Sequence, residues 1–491
     1  MKGIRMTLPK IIQGGMGVAI SDWKLARAVA LQGQLGVVSG TGIAIVLTAR
    51  LQEGDPTGDM RRAIAAFPFQ EAAQRVLQRY FVEGGVPRGQ PYRRPPMWTM
   101  RPSREVEELT VIANFVEVYL AKEGHSNPIG INLLEKVQMP TMASLYGAML
   151  AGVDYVLMGA GIPLQIAGIL DKLARHEPTQ YRLDVLNATG EHYLHFNPRA
   201  LFPEVSGTLK RPMFLPIISS LVLAQALLKR SSGRIDGFVL ELPVAGGHNA
   251  PPRGQMQLND KGEPIYTEKD AVDLKKLAAL GLPFWIGGGY GNPEKLVEAL
   301  AHGAAGIQVG TAFAYCDESG MAADIKQRII QKVIEGNIEV LTSPVVSPTG
   351  FPFKVVQLEG TLSEQSLYEA RKRICDIGYL RHLYEEEGKI GFRCPAEPVD
   401  HYVRKGGDLE DTVGRVCLCN ALGSTTGYIQ HRRDGSHEPA IVTSGDDLVN
   451  ITQFLPEGAT HYSAADVIAK LLSKLPIPSD VPEPSAHLQD V

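Results

Sequence analysis

A histidine directly behind two glycines, in Ala245-Gly246-Gly247-His248, is the residue of this sequence best placed to do chemistry. Taken alone, a histidine is more often structural than reactive. Here it follows the apolar run Gly237 to Leu242, which reads as a strand, and precedes the non-helical stretch Asn249-Ala250-Pro251-Pro252. An imidazole so placed, titrating near neutrality, can take a proton from carbon or polarise a substrate oxygen. Glu241, inside the same run, reads either as an acid partner for His248 or as an acceptor for a cofactor's hydroxyl groups. Two further stretches read as a phosphate cradle. They are Gly287-Gly288-Gly289 and Gln308-Val309-Gly310-Thr311, and neither contains Lys or Arg, so an anion would rest on backbone N–H groups and the Thr311 hydroxyl. Gly15 and Met16, in Gln13-Gly14-Gly15-Met16-Gly17, allow backbone to approach a planar ring, and Asn132 can read the edge of a heterocycle. A Rossmann dinucleotide site is disfavoured. In each glycine cluster the third position of G-x-G-x-x-G is held by another residue: Ile20, Ile45, Leu164 or Asn292.

These residues need a frame that brings strand ends together. Eight short apolar runs are spaced for βα units: Lys10 to Gln13, Leu35 to Ser39, Ile129 to Leu133, Tyr155 to Gly159, Phe214 to Ile218, Gly237 to Leu242, Pro283 to Gly287 and Ala305 to Gly310. Helical spacing follows most of them. Eight such units close a (β/α)8 barrel, whose active site lies at the carboxyl ends of the strands, where every residue named above falls. The expected organisation is a barrel over residues 1–330 with insertions at about 45–103 and 181–211. Residues 331–491 form a mainly helical region, with Ser363 to Glu387 helical and a frayed tail from Leu475. Met60 to Tyr80 reads as amphipathic, and Arg104 to Lys122 as a helix from the stepping of Val106, Leu109, Ala113, Val116 and Leu120. Tyr92 and Trp98 in the proline-rich loop are expected on the barrel's flank.

Composition narrows the function classes. Charged residues make up 21% and the formal net charge is -4, with no basic run, so nucleic acid is not an expected partner and a small-molecule substrate is. No apolar run reaches the roughly 18 residues of a membrane span. The N-terminal stretch lacks a signal-type apolar core, so a cytoplasmic protein is expected. Five cysteines in 491 residues do not form a disulfide framework. Cys394, Cys417 and Cys419, with His401 as a fourth group, could supply metal ligands, but structural thiols and no metal are the preferred reading.

Together, Pro9 to Gly17, Gly130 to Leu133, Ala245 to His248, Gly287 to Gly289 and Gln308 to Phe313 resemble, in order, the nitronate monooxygenase family (2-nitropropane dioxygenases) and the related FMN-dependent enoyl-acyl-carrier-protein reductases. The resemblance implies non-covalent FMN, its phosphate at Gly287 to Gly289 and Gly310-Thr311. It further implies that Gly15, Met16, Asn132, Glu241 and Gln308 lie along the ring and ribityl chain, that Gly246 and Gly247 also contact the cofactor, and that His248 faces the substrate near the flavin. The implied activity is oxidation of alkyl nitronates by oxygen. The alternative is NAD(P)H-dependent reduction of an enoyl thioester, with an acyl-carrier protein as partner; a non-redox barrel enzyme gripping a phosphorylated substrate is a third reading. The long region after Gln331, with Arg415 to Asn420, is similar to longer trans-acting enoyl reductases, and a dimer surface or carrier dock is a role for it.

Overall fold

The computed structural model describes residues 8–476. Eight parallel strands form its centre: β1 (Ile11–Gln13), β2 (Gly36–Ser39), β3 (Ile129–Leu134), β4 (Tyr155–Gly159), β5 (Met213–Ile218), β6 (Phe238–Glu241), β7 (Phe284–Gly287) and β8 (Gly306–Val309). Each pairs with its neighbour in the order β1-β8-β7-β6-β5-β4-β3-β2. The ring closes where Gln13 N–H donates to Leu35 O (2.9 Å) and Leu35 N–H to Ile11 O (3.1 Å). The fold is therefore the expected (β/α)8 barrel, and all eight strands lie where the apolar runs placed them.

Inside the ring, Ile12, Leu35, Val37, Tyr155, Leu157, Leu215, Val239 and Trp285 pack together. Trp285 Nε1 donates to Pro9 O (2.8 Å), which seals the amino end of the barrel and leaves the carboxyl end for a site. Outside the strands, a larger apolar layer joins them to the surrounding helices. The seat beside the first barrel helix, Trp23–Leu31, and the seventh, Pro293–Ala301, is filled by Ala464–Leu472 from near the chain's end. This last helix crosses the expected division near residue 330, so the C-terminal region runs over the barrel's carboxyl face and returns to its wall.

The first insertion holds helices Asp59–Ala65 and Gln70–Tyr80, and the helix Arg104–Lys122 follows it before β3. The amphipathic stretch from Met60 is broken at Phe67-Pro68, because proline has no N–H for a continuing helix. A further helix, Ile43–Gln52, was not expected. It is buried on nearly all sides, so it shows no polar stripe. Trp98 is buried against this layer, on the flank as expected. Residues 181–211 carry an antiparallel pair, Thr179–Leu183 with His192–Phe196.

Beyond Gln331 the helices are short: Gln365–Ala370, Val399–Arg404, Leu418–Thr425 and Ala464–Leu472. Two strand pairs that the sequence reading did not place accompany them, Val340–Ser343 with Phe353–Val356 before the first and His382–Glu386 with Lys389–Arg393 between the first and second. The helix expected over Ser363 to Glu387 is one correction. Its second half is a strand, His382–Glu386, turned by Glu387-Gly388, both at positive φ, onto Lys389–Arg393. Two left-handed residues in a two-residue turn make a hairpin, not a helix. The tail from residue 477 lies outside the described residues. Among the described residues no helix is long and apolar enough to cross a membrane.

Candidate active site

All the sequence-selected residues line one cleft of about 250 Å³ at the carboxyl ends of the strands. The register explains why. Gly287 lies opposite both Glu241 and Gln308, and Gln13 opposite Val309, so the ends of β6, β7, β8 and β1 form one rim. The glycine turns after β7 and β8 are neighbours on that rim. Among the described residues, the backbone N–H groups of Gly288, Gly289 and Gly310 have no acceptor. Gly288 sits at φ +90°, and a Cβ there would lie 2.9 Å from Leu242 O, so this turn requires glycine. The helix Pro293–Ala301 is not the anion's seat, because the Asn292 side chain already accepts from Glu294 and Lys295 N–H.

On the opposite side, Asn132 Nδ2 donates to Gly15 O (2.9 Å), which leaves the buried Asn132 Oδ1 without a partner. Gln308 Oε1 is likewise buried and unpartnered. Two orphaned amide oxygens facing one cleft suit a heterocycle that offers N–H groups. The donor set therefore fits a flavin mononucleotide, with free amides for the phosphate and orphaned acceptors for the ring edge. Met16 lies against Gly310, between these two regions.

His248 lines the cleft, but its surroundings correct two expectations. Its partner is Ser347, not Glu241: Nε2 is 2.7 Å from Ser347 Oγ, a hydroxyl that also accepts from Thr349 N–H. The ring packs edge-on to Phe353 and Phe351. This apolar burial lowers the imidazole's pKa to about 4, so the ring is neutral at physiological pH and does not titrate near neutrality. Glu241 is shifted the other way. Burial raises its carboxyl to about 8, so it holds its proton at neutral pH. Among the described residues no Lys or Arg lines the cleft.

The sequence reading missed a wall built by the C-terminal region. Residues 443–447 cross the turns after β6 and β8: Gly247 N–H donates to Thr443 Oγ1 (2.8 Å), Asp446 N–H to Val244 O (3.0 Å) and Gly445 N–H to Thr311 Oγ1 (3.0 Å). A Cβ on Gly246 would meet Gly445 N at 2.8 Å, so that glycine serves this crossing as well as the cleft. The Thr311 hydroxyl, expected to be free for phosphate, is engaged by Gly445 and by the Asp447 carboxyl. Asp447 lines the cleft beside Gly291 and is raised in pKa by burial. Ile377, Tyr379, Leu380, Leu418, Leu422 and Ile441 give this wall an apolar face. In the sequence this region was marked only by the likeness of Arg415 to Asn420 to longer enoyl reductases, which does not place it at the cleft. Ser347 and Asp447 left no local signal.

A parallel barrel whose strand ends carry unsatisfied amides and amide oxygens has the layout of a barrel enzyme's active face. Residues 182–349 match the model of the nitronate monooxygenase family. The resemblance read from the sequence thus holds over β5 to β8, the part that carries His248 and both cradle turns, and the coarse class is an oxidoreductase related to that family. A curated relative, (3aS,4S,5R,7aS)-5-hydroxy-7a-methyl-1-oxo-octahydro-1H-indene-4-carboxyl-CoA dehydrogenase of Mycobacterium tuberculosis, is 27% identical over 143 residues. That match spans 29% of this chain and 36% of the relative. Among solved structures, FabK from Thermotoga maritima aligns over 96% of this chain and 93% of its own at 14% identity, with a TM-score of 0.47. Nitroalkane oxidase from Streptomyces ansochromogenes aligns over 95% of both chains at 15% identity, with a TM-score of 0.45.

Proposed function

We propose that this protein is an FMN-dependent oxidoreductase acting on a neutral, largely apolar compound activated by a carbonyl group, of the enoyl-thioester kind, with NAD(P)H as electron donor. The observation that carries the substrate reading is the cleft's charge. Among the described residues its lining has no Lys or Arg, its imidazole is neutral, Glu241 keeps its proton at neutral pH, and burial raises the Asp447 carboxyl above its ordinary value. An anionic substrate would enter such a cleft without a countercharge and lose its hydration. A neutral thioester with an apolar acyl part loses little and gains contact with the wall of Ile377, Leu380, Leu418 and Ile441.

FMN bound here supplies hydride transfer. The chain's residues hold and orient. Gly288, Gly289 and Gly310 offer N–H groups to the phosphate, while Asn132 Oδ1 and Gln308 Oε1 accept from the ring edge. Ser347 fixes the His248 ring through Nε2, so the imidazole positions the substrate by hydrogen bonding rather than by charge. Glu241 keeps a proton at its carboxyl at neutral pH and is the cleft group able to donate one. The apolar wall excludes water.

Oxidation of alkyl nitronates is the second reading, supported by the family match over residues 182–349. One experiment separates the readings. Purified protein is mixed anaerobically with NADPH, and the flavin absorbance is followed before and after adding an enoyl thioester. Rapid bleaching, reversed by the thioester, supports the proposal. Slow bleaching by NADPH with rapid bleaching by a nitronate supports the second reading. A colourless protein that does not take up FMN overturns both.

A further inference from the structure

Four of the five cysteines, spread over 45 positions of sequence, meet at one place. Cys375 follows the helix Gln365–Ala370, Cys394 follows the strand Lys389–Arg393, and Cys417 and Cys419 begin the helix Leu418–Thr425. Cys394 and Cys417 are buried in contact, and Cys375 and Cys419 pack against them. His401, the fourth group suggested by the sequence, is not among them. Its side chain is half exposed and lies beside Asp400.

Buried thiols can be no more than small apolar side chains. Three features here point to thiolates instead. First, a donor is aimed at sulfur: Asn420 Nδ2, which also donates to Asp376 Oδ1 (2.7 Å), lies 3.4 Å from Cys417 Sγ. Hydrogen bonds to sulfur are the usual second layer around thiolate ligands. Second, three arginines near the group have no carboxylate partner among the described residues, while Asp376, Glu397 and Glu438 also face the thiols. Arg373 donates to Pro395 O and Thr412 O, Arg381 to Gly378 O and Trp98 O, and Arg393 to Lys405 O, next to or near the cysteines. Third, Arg393 Nε and Asn420 Oδ1 are buried beside the thiols without a hydrogen-bond partner, whereas Arg432, 7% exposed, is paired with Asp376 at 3.7 Å. Arginines held only by carbonyl oxygens keep their charge uncompensated, and negative charge among the thiols would offset it.

We propose that Cys375, Cys394, Cys417 and Cys419 are the ligands of a thiolate-bound metal centre, taking zinc or an iron–sulfur cluster. Each thiol gives up its proton to solvent as its sulfur bonds the metal. For zinc, four thiols and one Zn²⁺ yield a tetrathiolate centre of net charge −2 and release four protons, with no change of oxidation state. Among the described residues no three ligating side chains already form a shell for a single ion. The sulfurs therefore turn inward on binding zinc, or span the wider gap of a polynuclear cluster. The centre would border the cleft, because Leu418, Cys419 and Asn420 line it, and would fix the helix Leu418–Thr425 as its wall. The proposal is independent of the cofactor and substrate reading.

The test uses the full, tag-free chain, produced in medium supplemented with zinc and iron and purified anaerobically. Metal content is measured by mass spectrometry, together with acid-labile sulfide. About one zinc per chain, or about four irons with equal sulfide, is expected, and the two results distinguish the metal. Location is read on the same wild-type protein by differential alkylation. Cys375, Cys394, Cys417 and Cys419 should label in the unfolded chain only after a chelator is added, while Cys316 labels with or without it. Less than about a tenth of an equivalent of either metal, after reconstitution with each, overturns the proposal. So does metal that leaves the labelling of these four thiols unchanged.

Discussion

Asp447 places an acidic group beside the proposed phosphate cradle, and replacing it should change how cofactor affinity depends on pH. Its carboxyl shares the Thr311 hydroxyl, and one oxygen lies 3.1 Å from where a Cβ on Gly291 would stand. A phosphate held on the Gly289 and Gly310 amides would share this part of the cleft with it. Two unit charges about 5 Å apart repel by about 3 kcal/mol at an effective dielectric constant near 20, or roughly a hundredfold in affinity. No cation in the cleft offsets this, and Lys354 is committed to Asp446 (2.7 Å). Burial already raises the Asp447 pKa, and a nearby anion raises it further, so the protonated form is the one that binds. Affinity is therefore full at low pH and lost as pH rises through that pKa, by at most about tenfold per unit. The phosphate's own second ionisation, near pH 6, and that of Glu241, at about 8, are alike in both proteins. Quenching of FMN fluorescence should show the wild type weakening with rising pH more steeply than Asp447→Asn. The variant should bind about 30- to 100-fold more tightly once Asp447 is ionised. Equal slopes, or looser binding by the variant, would refute the reasoning.

Other consequences follow from the same contacts. His248→Ala should lower kcat/KM about a hundredfold with the FMN dissociation constant unchanged. Ser347→Ala, which removes the Nε2 partner, should cost about 1–1.5 kcal/mol, or roughly tenfold, in the same steady-state assay. The pH profile of kcat/KM should have no acid limb near the ordinary histidine value, because the His248 pKa is about 4, and should fall above about 8 as Glu241 loses its proton. A limb near 6.5 would show instead that the imidazole is solvated. Away from the reaction, Arg50 is buried between Glu117 (2.9 Å) and Asp22 (3.3 Å) and donates to Tyr428 Oη (2.8 Å) on the cleft wall. Arg50→Ala strands two buried carboxylates and should destabilise the fold by about 3–5 kcal/mol in denaturant unfolding.

The barrel was legible because each parallel strand is buried on both faces and so reads as a short apolar run ending in glycine or a polar residue. The cradle was legible for a related reason. Tight turns at the carboxyl ends leave glycine clusters such as Gly287 to Gly289 in the sequence. What the sequence hid was made by distant chain meeting the rim. Ser347 reaches His248 across 99 positions and Gly445 reaches Thr311 across 134, and neither pairing leaves a local periodicity. The His248 pKa was misjudged for that reason: Phe351 and Phe353, which desolvate the ring, arrive from the C-terminal region. The strand His382–Glu386 was read as helix because its alternation is short and its turn, Glu387-Gly388, lacks the usual Asn or Asp.

The most direct test of the central claim is a crystal structure of the protein with FMN. The account predicts the phosphate within hydrogen-bonding distance of the Gly289 and Gly310 amides, and the isoalloxazine edge at Asn132 Oδ1 and Gln308 Oε1 with its face toward His248. FMN bound elsewhere, or a phosphate seated away from these two turns, would contradict it.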